Sequence, residues 1–557
     1  MTRLDRRRMI AGLLGWPLAT LPGCAPGSLP AAGELKHTSF SIGHRIRDGL
    51  VQSSSSDSFD HARVVIIGAG VAGLSAAWRL ERAGFRDYVL LEIETLAGGT
   101  SRSGQRGEFN YPWGAHYIPV PMRHNAPLIQ LLSEIGLVEG ISDEGEPIIA
   151  EQFLCRDPSE RLFYDGRWLE GMYPFEGASQ EERRQLAEFR DEIDRWVAAR
   201  DNRGRRMFAV PMAVGSDDSV VRQLDRLSMS QWMDEHGWDS PRLRWAVDYG
   251  CRDDYGLSIE RVSAWAGLFY FASRVSKPGQ ESQSVMTWPE GNGRVVEHFV
   301  NAVGDHLRCG VAVAEVRPGS SGDGSFDGPI RVTGVEMGSF EPIGWNADEV
   351  IFAAPQFLAR HLIRNSDREL VRDGKEFQYG SWLVANVHLR DRPATRGFPM
   401  CWDNVIHDSR SLGYVTATHQ MGIDHGPTVL TWYHPFADVE ATETRRSMLR
   451  LEWSDWAELV MGDLIKAHPD LPSLVTRLDV MLWGHAMVSP RVGFVWSPAR
   501  INASKPLGSI HFAGTDLSGI ALFEEAFYHG IRAAEEVLSR IGYDHQPMLP
   551  LRADSTS

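Results

Sequence analysis

At 557 residues and 43% hydrophobic side chains, the chain has length for about two to four domains and enough apolar material for large cores. Its formal charge of −16 argues against a nucleic-acid partner, and no apolar run reaches the roughly eighteen residues that a membrane-spanning helix requires.

The first 24 residues read as an address rather than as fold. Arg6-Arg7-Arg8-Met9-Ile10 precedes a short apolar stretch that ends at Leu21-Pro-Gly-Cys24. That is the form of a twin-arginine export signal followed by a lipobox, with Cys24 as the residue to be lipidated. The twin-arginine translocase carries proteins already folded, which suits a cofactor inserted before export, and it implies the periplasmic side of a bacterial envelope. Cleavage before Cys24 removes Arg3, Arg6, Arg7, Arg8 and Asp5, leaving a more acidic mature chain that only a lipid, not charge, would hold at a membrane. Residues 25–60 are polar and punctuated, culminating in Ser53-Ser-Ser-Ser56-Asp57, and read as a flexible linker. The remaining cysteines, Cys155, Cys251, Cys309 and Cys401, are scattered without a C-x-x-C pair, so neither a metal site nor a redox disulfide is expected.

The apolar run Val64 to Ile67 predicts a buried strand leading into Gly68-Ala-Gly70-Val-Ala72-Gly73, the G-x-G-x-x-G turn that opens a helix. Gly68 permits the tight turn and Gly70 lets backbone close on a pyrophosphate. Gly73 brings the helix against the strand, so that free amides and the helix dipole face the anion. A second apolar run, Tyr88 to Leu91, ends in Glu92, placed to meet a ribose hydroxyl. Together these predict a dinucleotide site.

Gly98-Gly99 follow, with Arg102 just beyond. Here the chain resembles the flavin-containing amine oxidase family, whose N-terminal unit reads G-x-G-x-x-G, then Glu, then Gly-Gly-Arg. The resemblance implies FAD, with Gly98, Gly99 and Arg102 near its phosphates. Tyr111-Pro-Trp-Gly114-Ala115-His116-Tyr117 is similar to the family's third FAD contact. For His116 two readings stay open, a proton shuttle at the flavin and a packing histidine. Trp265, Tyr270 and Phe271 are open between core and pocket wall, and Arg252-Asp253-Asp254 between a cation-selecting pair and a solvated loop. Trp288 to Val296 resembles the return to the FAD domain, and Val313 to Val316 the strand whose first valine meets the adenine.

The strand-like Tyr379 to Leu389 aligns with the strand on which relatives carry a lysine beside the flavin; Val384 stands at that position, so the lysine is missing. Trp483-Gly-His485 to Gly493 resembles the segment beside the flavin. It holds no cysteine, which implies non-covalent FAD; His485 is the candidate proton carrier, and Trp483 is a pocket wall or core. Finally Ser509 to Asp516, with Gly514 and Asp516, and the long helix from Phe523-Glu524 resemble the family's ribityl contact and the helix aimed at the flavin pyrimidine. The aromatic-cage tyrosine of relatives is replaced by Leu522-Phe523.

The fold expected is α/β: a Rossmann-like FAD-binding domain of the glutathione-reductase type, in segments 61–120, 286–355 and 483–543. It interleaves with an α+β substrate domain in segments 121–285 and 356–482, and 544–557 form a tail. The activity implied by the resemblance is oxidation of an amine such as a polyamine, with oxygen or a membrane carrier accepting the electrons. A desaturase or porphyrinogen-oxidase-like enzyme, and an electron-relay lipoprotein, are the alternatives.

Overall fold

The glycine-rich stretch of 60–92 forms a β-α-β unit. The strand Asp60–Ile67 runs parallel to Tyr88–Glu92, with the helix Val71–Ala83 between them. In this computed structural model, which describes residues 30, 32–49, 59–319, 328–364 and 374–549, that unit anchors a seven-stranded sheet. The strands Pro342–Phe352, Gly328–Glu336 and Val311–Gly319 extend it on one side and Leu307–Cys309 on the other, while Ile510–Phe512 pairs beside Pro342–Phe352. Segments more than 400 residues apart in sequence thus share one sheet.

Small residues set how tightly its layers close. A Cβ on Gly73 would lie 1.8 Å from Gly68 O, so only glycine lets the helix sit on the turn before it. The C-terminal helix Phe523–Arg540 crosses the Val71–Ala83 helix at Gly530, where a Cβ would lie 2.3 Å from Ala72 O. Trp78, Phe299, Phe527 and Ile531 fill the apolar space around this crossing.

An eight-stranded sheet forms the second body, centred on Tyr379–Leu389 between the strands Thr428–Pro435 and Val475–Val488. Beside it, helices from the middle of the chain pack on one another in a core of their own. Gln180–Ala198 is capped by a Ser179–Glu182 box, and Pro241–Tyr255 and Ala264–Ser273 follow. Among the described residues, no helix is long and apolar enough to cross a membrane.

Three expectations change. Arg6–Arg8, Cys24 and Ser53–Asp57 lie outside the described residues, but 33–47 do not behave as a linker. Gly33–His37 is an edge strand parallel to residues 478–482, and Phe40–Arg47 is a helix with Ile42 buried. The polar composition hid this, because one isoleucine and backbone pairing do the anchoring. Second, Trp483 lies inside the strand Val475–Val488 of the large sheet, so that sheet runs past the expected boundary at 482. Third, Arg252-Asp253-Asp254 belongs to the helix Pro241–Tyr255 rather than to a loop. Cys155, Cys251, Cys309 and Cys401 are free, with Cys251 and Cys401 buried.

Candidate active site

Between the two sheets lies a cavity of about 1330 Å³, larger than the roughly 300–1,000 Å³ that one small molecule occupies. Two glycine loops meet at one side of it. Gly98 N donates to Ala69 O at 2.7 Å, and both Gly98 (φ 115°) and Gly99 (φ 56°) hold the left-handed conformations that favour glycine. Gly70 and Gly514 have no atom within 4 Å of where a Cβ would be, so their backbones open directly on the cavity. The first amides of the Val71–Ala83 helix have no partner within the helix, and they open there through Gly70, Val71 and Ala72.

Glu92 ends its strand at the same rim. Its Oε2 accepts from Ala69 N (2.7 Å) and its Oε1 from Glu94 N (3.0 Å). Burial raises the carboxyl pKa, and those two amides pull it back. Arg102 Nε donates to Gly99 O at 3.1 Å, and its guanidinium lies 5.2 Å from the centre of the Trp483 ring. Trp483 Nε1 donates to Trp113 O at 2.7 Å, locking the indole to the Gly114 turn. At Gly114 a Cβ would come 2.3 Å from Thr100 O, which explains the glycine, and Ala115 N donates to Thr100 O at 2.9 Å.

Asp516 is buried, and its Oδ2 accepts from Gln356 N at 2.7 Å and from the Tyr379 hydroxyl. Burial raises its pKa against those two donors. Val313 and Glu524 also line the cavity; burial raises the Glu524 carboxyl while Arg274 opposes it.

A second grouping was only half legible in the sequence, which raised Asp253 and Asp254 as a cation-selecting pair but gave no sign of Asp403 or Glu160. Asp253 and Asp254 of the Pro241–Tyr255 helix, Asp403 of the strand Asp403–Ile406 and Glu160 of the strand Glu160–Tyr164 all line this cavity. Among the described residues the cation bonded to this set is Arg274, whose Nη atoms lie 3.2 Å from Asp254 Oδ1. Tyr249 Oη donates to Asp403 Oδ2 at 3.3 Å. Burial, then Asp254, raises Asp253 to about 7; burial, then Asp253 and Glu160, raises Asp403 well above the carboxylate range.

Aromatic rings complete that side. His116 stacks on Tyr433 with ring centres 4.7 Å apart, and Tyr433 Oη donates to Gly114 O at 2.8 Å. Burial lowers the His116 pKa to about 4, so the ring is neutral. Tyr117, Trp402 and Tyr270 join it, whereas Trp265 is core. Val384 faces the cavity in register with Tyr433, leaving an apolar side chain where relatives were expected to carry lysine.

His485 lies in different company. It stacks on Phe357 at 4.3 Å and meets Tyr379 edge-on, and burial followed by the charges of Arg445 and His44 lowers its pKa to about 3. Its neighbours are cations and the ties of Asp516, not the carboxyl grouping. Among the described residues no cluster of His, Cys, Asp and Glu suits a metal ion.

Solved structures share this architecture. Putrescine oxidase bound to putrescine superposes with a TM-score of 0.61 at 17% identity, covering 87% of this chain and all of that one. Cyclohexylamine oxidase from Brevibacterium oxydans gives 0.58 at 16% identity, covering 86% of this chain and all of that one. At such identities the likeness defines the fold: a mixed α/β protein with a dinucleotide-binding sheet and a second sheet facing it. The flavin containing amine oxidoreductase family matches residues 71–538, and the chain belongs to that family of enzymes. Among curated relatives, amine oxidase [flavin-containing] B of Bos taurus is 21% identical over 498 residues, 86% of each chain. The human peroxisomal N(1)-acetyl-spermine/spermidine oxidase is 42% identical over only 77 residues, so this chain spans 15% of that relative's length.

The residues present fit the flavin dinucleotide that the family name implies. Gly70 and Gly514 leave room for close approach, Glu92 stands at the rim, and both side-chain polar atoms of Asn292, buried at the cavity wall, have no protein partner.

Proposed function

We propose that this protein is an FAD-dependent amine oxidase or dehydrogenase acting on a substrate with more than one positive charge, such as a di- or polyamine. One observation carries the reading: a single cavity joins a phosphate-type glycine cradle to a set of carboxyls lining its wall with too little countercharge of its own.

When bound, the flavin supplies the two-electron acceptor that turns a CH–NH bond into C=N. Gly68, Gly70, Gly73, Glu92, Gly98, Gly99, Arg102, Gly514 and Asp516 hold it, without a covalent bond. Asp253 and Asp403 bind the distal ammonium of the substrate, which repays their desolvation by supplying the missing positive charge. Tyr117, Trp402 and Tyr433 present ring faces to the amine, where a cation gains about 0.5–2 kcal/mol. His116 stays neutral and so does not repel the substrate. The closing acceptor is oxygen or a membrane carrier, and the protein resides on the periplasmic side by virtue of Arg6–Arg8 and Cys24. An apolar desaturase substrate would leave the carboxyls buried and unpaired, which disfavours that reading.

Anaerobic mixing with putrescine, spermidine, benzylamine and an isoprenoid distinguishes these readings by bleaching of the flavin band. Bleaching only with the isoprenoid, or with none, overturns the proposal. Intact mass retaining Met1 on periplasmic protein overturns cleavage before Cys24 and its lipidation.

A further inference from the structure

We propose that residues 33–47 form a strap that completes the flavin compartment and governs how fast the cofactor leaves. The inference rests on the flavin reading above and concerns residues outside the family match, which starts at 71.

The strap ties the two sheets together across the cavity. Its strand Gly33–His37 pairs with Leu478–Leu482, the run that leads directly into Trp483. Its seat admits glycine alone at the start, because a Cβ on Gly33 would lie 2.2 Å from Leu478 O and 2.4 Å from the Trp453 ring. Glu34 N also donates to Asp479 Oδ1 at 3.0 Å. The chain then crosses over, and Ser39 N donates to Glu94 Oε1 at 2.6 Å. Glu94 lies 3.5 Å from Arg102, and its amide donates to Glu92, the acid at the rim of the glycine loop. One short path of hydrogen bonds therefore joins the strap to the cradle.

Beyond the crossing, the helix Phe40–Arg47 docks on the nucleotide sheet through Ile42, which is 2% exposed and packs with Ala312 and Val335. Ile46 packs beside it less deeply, while other residues of the segment turn to the cavity. Ser39, Phe40, Gly43, His44 and Arg47 form part of the cavity wall, facing the side that also carries Arg360, Arg445 and His485. A dinucleotide laid along the glycine loops would have this wall on its outer side, with cations where its phosphates carry charge. It cannot leave sideways while the strap is paired at both ends. The strap is anchored mainly by one edge strand and one isoleucine, the kind of segment that opens locally at low cost.

The test uses the full chain and reads flavin release, not turnover. Ser39→Pro removes the donor to Glu94, Ile42→Asp unseats the helix, and His44→Ala removes wall atoms alone. Release is followed by recovery of flavin fluorescence after dilution, with melting of the flavin-free proteins as the control. The expected result is release at least tenfold faster for Ser39→Pro and Ile42→Asp, and several-fold faster for His44→Ala, while the flavin-free melting temperatures of Ser39→Pro and His44→Ala stay near the parent's. Release within twofold of the parent in Ser39→Pro and His44→Ala overturns the strap. A parent that neither carries nor takes up flavin overturns the flavin reading instead.

Discussion

Asp516 and the pair Asp253/Asp403 show how differently two acids can serve one cavity. Asp516 is fixed by an amide and a phenol, so its second oxygen is presented in one direction. Asp516→Ala removes a buried hydrogen-bonding group and leaves its donors unpaired, worth about 1–3 kcal/mol. Fluorescence titration of apoprotein should therefore show flavin binding weakened by about 10- to 100-fold. Asp253 and Asp403 instead have raised pKa values, Asp253 through burial and then Asp254, Asp403 through burial and then Asp253 and Glu160. Asp253 ionises as pH rises through about 7, so kcat/KM for a diamine should climb there. In Asp253→Asn/Asp403→Asn it should be at least tenfold lower and lose that rise, as steady-state kinetics at several pH values would show. His485 sits among cations and Phe357, away from this pair. Replacing it by Ala should leave the anaerobic reduction rate within twofold, and a tenfold fall would restore it as the proton carrier. The glycines were legible because each requirement is local, a φ angle or a close approach. Asp403 was not legible, because only the pairing of its strand with Glu160–Tyr164 brings it into the cavity.

At the scale of elements, the two helices that meet at Gly530 position the cradle from behind. Gly530→Ala drives a methyl to 2.3 Å from Ala72 O, and such overpacking costs about 1–3 kcal/mol. Because Ala72 belongs to the first turn of the cradle's helix, both the melting temperature and flavin retention should fall. Retention without change would mean the crossing is slack. The long elements were legible: Tyr379–Leu389 spans the strand-like run, and the helix Phe523–Arg540 begins at the expected Phe523. The strand Gly33–His37 and its helix did not, since an edge strand needs only backbone partners and its sequence carries little apolar signal.

For the molecule as a whole, buried acids make stability depend on pH. Unfolded carboxyls titrate near pH 4, whereas Asp253 and Glu525 are raised to about 7 in the fold, chiefly by burial. A raised acid favours the native state fully below about pH 4 and loses that contribution as pH rises toward 7. Histidines such as His434 and His468, lowered to about 4 by burial, act oppositely, losing stability as pH falls below 6.5. The two sets overlap, so the parent's own profile is a compromise. The comparison isolates the acids: flavin-free Asp253→Asn/Asp403→Asn should gain melting temperature relative to the parent as pH goes from 5 to 8. A constant difference across that range would show that those carboxyls are already ionised in the fold.

The sheet that carries the cradle takes Asp60–Ile67 and Ile510–Phe512 as near neighbours, and the cavity is closed by residues up to Ala526. A ribosome therefore cannot offer the compartment until the chain has been made as far as Ala526. Yellow colour becomes a certificate that the last sheet strand has been made: a chain stopped at residue 505 should stay colourless however much flavin is supplied. Any quality control that waits for the pigment would thereby reject unfinished chains.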